Sequence, residues 1–133
     1  MKITLSKAEA IIAEAKETVL AKGLPPMSIS VVDDGAHLIA FSRMDGTFIG
    51  ATAVAQCKAR TAALFRVDSA ILGENFKTGG AACTLENGNG GLMGGGVVLR
   101  DPVGEMIGAV GVAGGSTDED ELVAQAAAAA IAG

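Results

Sequence analysis

From position 5 the apolar residues recur at helical spacing. Leu5, Ala8, Ile12, Ala15 and Val19 form one stripe, with Lys7, Glu14 and Lys16 turned toward water. The spacing predicts a helix over residues 6–22, opened by a Ser6/Glu9 capping box, closed at Gly23 and followed by the extended pair Pro25-Pro26. The period then drops to two. Residues 28–32 and 37–43 read as the strands of a hairpin around Asp34-Gly35, a pair that supplies the positive φ of a tight turn. On the second strand, alternation puts His37, Ile39, Phe41 and Arg43 on one face and Leu38, Ala40 and Ser42 on the other.

A helix of small residues is predicted over 50–65, its stripe running through Ala51, Val54, Ala55, Lys58, Thr61 (or Ala62) and Phe65. Asp68-Ser69 caps a short helix reaching about residue 72. Residues 73–96 hold many glycines and little periodicity, the mark of a long functional or mobile loop, with room for a short strand near 82–85. A strand over 96–100, a turn over 101–104 and a strand over 105–113 follow. In the last strand Met106, Gly108, Val110 and Val112 point one way, and Ile107, Ala109, Gly111 and Ala113 the other. The second face is nearly bare, so a helix, a second subunit or a flat ligand must approach it closely. Ser116 and Glu119 repeat the capping-box spacing before an alanine-rich helix over 122–131. The order of elements implies one α+β domain, residues 1–133, built on an antiparallel sheet.

Composition narrows the function classes. The chain carries a net charge of −5, no Trp or Tyr and four Phe, so it has neither the basic surface nor the aromatic platforms of a nucleic-acid binder. No apolar run reaches the ~18–20 residues that cross a bilayer, and the start lacks a signal-peptide core. Cys57 and Cys83 then read as reduced thiols in a cytoplasmic protein. A mean hydropathy of +0.44, much of it alanine, points to a homo-oligomer as the outlet for apolar surface.

Several residues carry candidate chemistry. His37 is the sole histidine; it is either a surface side chain beside the turn or an imidazole ligand to iron or cobalt, and alone it cannot build a zinc site. Arg43 and Asp45 either pair locally to stiffen the loop or offer a guanidinium to a ligand carboxylate. Lys58 lies beside an apolar stripe, its ammonium in water or against a bound anion, and neighbouring Cys57 is inert packing. Residues 73–96 hold no phosphate-loop motif, although the N–H groups of Gly94, Gly95 and Gly96 can line a pocket. The acidic run Asp118–Glu121 suits a helix start, with metal binding or catalysis as the other reading.

VVDDGAHLIAFSRMDG, KARTAALF, GGGVVL and IGAVGVAGGSTDED, in this order and followed by an alanine-rich helix, resemble the GlcG/HbpS family, which includes the C-terminal domain of some corrinoid adenosyltransferases. The resemblance implies a profilin-like α+β fold with a sheet of about five strands, a dimer-based homo-oligomer, and in some members haem or corrinoid binding. Two functions follow as expectations. One is a small-ligand carrier for haem or a corrinoid, with Arg43 and Lys58 meeting carboxylates, Gly94 to Gly96 allowing close approach, and His37, Met93 or a cysteine touching the metal. The other is a metal-independent lyase, isomerase or hydrolase acting on a small organic acid, with Asp45 or Glu86 as general acid or base. An accessory subunit without chemistry is the third. A broad apolar slot favours the carrier, whereas a small polar pocket with a carboxylate of raised pKa favours the enzyme.

Overall fold

The structure, a computed structural model, describes residues 2–75 and 92–132. The elements are α1 (Leu5–Ala21), β1 (Ser28–Asp33), β2 (Leu38–Arg43), α2 (Ala51–Phe65), α3 (Ser69–Asn75), β3 (Gly96–Arg100), β4 (Met106–Ala113) and α4 (Thr117–Ala132). The strands form one antiparallel sheet in the order β2-β1-β4-β3. The helices α1 and α4 lie together on one face, where Ile11, Val19, Ile29, Val31, Leu99, Val110, Val112 and Val123 make the larger core. The helix α2 covers the other face, over Val32, Val98, Ala109 and Ala113. The α+β architecture is as expected, with four strands among the described residues rather than about five. The short strand expected near 82–85 lies outside them.

Local chemistry explains most boundaries and several departures. The α1 cap is Thr4, whose Oγ1 accepts from Lys7 N at 3.1 Å, so the helix starts ahead of the Ser6/Glu9 pair. Leu5 consequently stays 57% exposed, and Ile11 joins the core. The second capping box forms as expected, with Ser116 N donating to Glu119 Oε1 at 2.8 Å and Glu119 N to Ser116 Oγ at 3.2 Å. Asp68 and Ser69 do not spend their side chains on capping α3. Asp68 Oδ1 accepts from Val98 N at 3.0 Å and Ser69 Oγ from Gly96 N at 2.9 Å, which satisfies N–H groups on the outer edge of β3.

Two bulges reset the alternation. The register slips between Leu99 and Arg100 opposite β4, so Ile107 joins Val110 and Val112 in the larger core while Met106 packs on the α2 side. A second slip between Val31 and Val32 turns Ile39 toward the α1 side with Ala40. A bulge adds one residue to one strand, and every side chain beyond it changes face.

The bare face of β4 is filled by α2. Gly96 and Gly111 are cross-strand partners and together make a flat pad. A Cβ on Gly111 would collide with Ala55 O and lie 2.6 Å from Ala59 N, and one on Gly96 would collide with Lys58 O. The helix backbone therefore rests directly on the sheet. Of the three occupants the strand pattern allows, it is a helix of the same chain.

Candidate functional site

That close approach determines where Lys58 goes. Its side chain, 1% exposed, passes the start of β3, and Nζ donates to Val112 O and to Asp120 Oδ2, both at 2.9 Å. Gly95 leaves it room, since a Cβ there would stand 2.9 Å from Nζ. Asp120 Oδ1 in turn accepts from Gly115 N at 2.8 Å. Burial pushes the Asp120 carboxyl above its usual range, and Lys58 and the Gly115 N–H pull it only part of the way back. The pair joins α2 on one face of the sheet to the start of α4 on the other. Lys58 is thus not a surface lysine with its ammonium in water, and it lines none of the cavities described below.

The other expected residues scatter. Arg43 and Asp45 are exposed at the end of β2 and in the turn after it, and no hydrogen bond or ion pair joins them among the described residues. The N–H groups of Gly95 and Gly96 are used internally, by Glu121 Oε1 at 2.9 Å and Ser69 Oγ at 2.9 Å. Gly94 lines a cavity of about 310 Å³ with Met93, Thr117 and Glu121. Cys57 is buried. Glu86 and Cys83 lie outside the described residues. Among the described residues no group of three or more His, Cys, Asp or Glu side chains is placed to hold a metal ion. Within the acidic run, Glu119 caps and Asp120 pairs, while Glu121 binds Gly95 N and Gln125.

His37 sits differently. Its side chain is 81% exposed, and Nδ1 lies 3.4 Å from Asp33 Oδ1. That oxygen also accepts from Gly35 N at 2.8 Å and His37 N at 2.9 Å, so the carboxylate is anchored to the turn that presents the ring. Burial pushes the Asp33 carboxyl up, but the His37 and Gly35 N–H groups, then the His37 ring and Lys2, outweigh it and hold it below its usual value. The positive φ of the turn falls on Ala36 (+67°) rather than on Asp34-Gly35. Gly35 serves space instead, since a Cβ there would stand 3.2 Å from His37 Nδ1. From behind, Arg60 Nη1 donates to Ala36 O at 3.3 Å and Arg66 Nη1 to Asp34 O at 2.9 Å. Arg60 of α2 and Arg66 just past its end hold the turn in place.

Beside His37 opens a cleft of about 220 Å³, lined by Ser30, Val32, Ala36, His37, Leu38, Gln56 and Arg60. The largest cavity described, about 410 Å³, is a mainly apolar slot at the β3 edge, where Val67, Ile71, Val97, Val98, Ala128 and Ala129 meet Arg66 and Arg100. Asp120, the one carboxyl pushed upward among the described residues, lines neither. The pocket that an acid-base enzyme would need is therefore not formed around it.

A family model described as haem degrading protein HbpS-like matches residues 3–129. The chain belongs to the HbpS-like family. Protein GlcG of Escherichia coli (strain K12) is 43% identical over 113 residues, covering 84% of this chain and 82% of GlcG. The crystal structure of Klebsiella pneumoniae protein ORFY superposes with a TM-score of 0.88 at 27% identity, covering 98% of this chain and 92% of that one. A crystal structure of a PduOC:haem complex superposes with a TM-score of 0.85 at 29% identity, over 98% of this chain and 96% of that one.

In this HbpS-like chain, sequence reasoning missed Asp33, Ser30, Gln56 and Arg60. Two signals were present. Asp33 and His37 are four residues apart across a tight turn, and Gln56 and Arg60 are one helical turn apart on α2. Ser30 had no signal, because its neighbours are set by strand pairing and not by spacing. The same holds for Lys58 and Asp120, 62 residues apart.

Proposed function

We propose that the protein binds a haem-like tetrapyrrole, haem or a corrinoid, with His37 as its axial ligand. The observation that carries the reading is the pairing of His37 Nδ1 with Asp33 at 3.4 Å. A carboxylate beside one imidazole nitrogen favours the tautomer with its proton there, which leaves Nε2 as the lone-pair donor. Nε2 has no hydrogen-bond partner among the described residues, and the ring stands in solvent where a flat group can reach it. The donor set therefore fits a single-imidazole site. Haem supplies a flat apolar ring and an iron with axial positions to fill. Leu38, 53% exposed, offers an apolar contact beside the imidazole, and Gly35 keeps the ring free to tilt.

Homo-oligomer formation in the cytoplasm belongs to the same proposal. Phe48 at 59%, Ile49 at 83% and Val103 at 86% exposure are apolar surface that a second copy would cover, and no described helix is long and apolar enough to cross a membrane. The test is an absorbance titration with haem and with a cobalamin, with light scattering on the same samples. A saturable Soret shift that His37→Ala abolishes is expected. Haem and cobalamin spectra that both stay those of the free compounds throughout, from folded protein, rule the reading out.

A further inference from the structure

We infer that Ser30, Gln56 and Arg60 form a carboxylate-binding pocket next to His37, distinct from the imidazole and from every residue assigned to ligand binding above. Three hydroxyls between α2 and β1, Ser28 Oγ, Ser30 Oγ and Thr52 Oγ1, are buried with no hydrogen-bond partner. Ser28 and Ser30 are fully buried on the same face as Val32. Native proteins rarely leave such groups unmade, because each loses its water without replacement. Ser30 forms part of the floor of the 220 Å³ cleft, and Gln56 and Arg60 line it from α2, with Thr52 one turn before Gln56.

The donors are those a carboxylate requires. Arg60 contributes a planar fork, steadied by the Ala36 carbonyl at 3.3 Å, that matches two carboxylate oxygens. Gln56 adds an amide N–H, and Ser30 lines the same cleft with a buried hydroxyl that has no hydrogen-bond partner. Ser30 has no exposed surface, so the cleft lining must shift for a carboxylate oxygen to reach Oγ. Val32, Ala36 and Leu38 make the rest of the lining apolar, which suits a short aliphatic chain behind the charged end. The volume is that of about seven waters at ~30 Å³ each, too small for a tetrapyrrole and sufficient for a short carboxylate.

Such a carboxylate has two sources, a propionate arm of a tetrapyrrole ligated by His37 or a free small acid. Only the first rests on the haem reading. The experiment compares haem with haem dimethyl ester by absorbance, and follows the Gln56 amide and Arg60 Nε–H resonances by NMR as sodium propionate is added. It uses the wild-type chain, Arg60→Gln and Ser30→Ala. Ser30→Ala is the control for folding, since it deletes a hydroxyl that makes no hydrogen bond and should leave the melting temperature unchanged or higher.

If the arm is the ligand, haem binds at least about tenfold more tightly than its diester, and both variants erase the difference. If the free acid is the ligand, propionate shifts the Gln56 and Arg60 resonances saturably, and both variants weaken that by about tenfold or more. Equal binding of haem and diester together with resonances unmoved by propionate overturns the pocket, and leaves His37 ligation to be judged by the Soret band alone. Propionate or haem binding that neither variant weakens overturns it too.

Discussion

Replacing Lys58 by Met should be among the most damaging single changes in the chain. The substitution keeps the length and apolar stem of the side chain and removes only the ammonium. Asp120, 4% exposed, then keeps the Gly115 N–H at 2.8 Å and loses its one counter-charge, while Val112 O loses a donor at 2.9 Å. Removing one partner of a buried pair costs about 3–5 kcal/mol, a large part of the ~5–15 kcal/mol that a domain of this size has. Urea denaturation at pH 7 measures it directly. The double variant Lys58→Met/Asp120→Asn should recover much of the loss, because no charge remains buried and the Asn carbonyl can still accept from Gly115. The pH dependence has a definite sign. In Lys58→Met the Asp120 carboxyl, already raised by burial, rises further, so the folded state binds its proton more tightly than the unfolded chain does. Relative to wild type, the deficit is full above the variant's raised carboxyl value and shrinks as pH falls from there toward the wild-type folded value, which itself lies above 3.8. A loss below about 1 kcal/mol at pH 7, or one independent of pH, would refute the clamp.

Gly111→Ala should cost about 3 kcal/mol, because its Cβ would meet the Ala55 and Ala59 backbone and α2 must lift off the sheet; a melting temperature equal to wild type contradicts this packing. Asp33 should titrate below 3.8 by its carboxyl chemical shift. Its stabilisation of the turn is therefore present above that value and lost as pH falls through the lower, folded one. In His37→Ala the Asp33 value should move back up, and an unchanged one would deny the ion pair. Gly35→Ala should weaken haem binding by crowding the imidazole, measured by the same absorbance titration, while an unchanged affinity would show that the ring needs no such room.

Much of the local chemistry was legible in the sequence, although Thr4 displaced the Ser6/Glu9 box as the cap of α1. The Ser116/Glu119 box, the hairpin around residues 34–37 and the small-residue α2 all depend on neighbours within a few positions. The bare face of β4 was visible for the same reason, since alternation exposes it directly. What failed was whatever a bulge or a distant partner decides. One extra residue near Ile107 moved that side chain to the opposite face, and Ile39 moved likewise. Asp68 and Ser69 look like caps, but the β3 edge some 30 residues on competes for the same oxygens and wins. The anion-contact reading of Lys58 could not be separated from an ion pair with Asp120 until α4 was placed against it. His37 was legible as a lone imidazole; Asp33 behind it was signalled only by the four-residue spacing across a turn whose positive φ falls on Ala36 and not on Asp34-Gly35.

The sole histidine makes the central claim unusually direct to test. The ring nitrogens of [15N]histidine-labelled protein can be followed by NMR as gallium protoporphyrin, a diamagnetic stand-in for haem, is added. Ligation predicts a large saturable shift of the Nε2 resonance, with Nδ1 remaining protonated toward Asp33. Ring resonances that stay unmoved while the porphyrin saturates the protein would contradict His37 ligation outright.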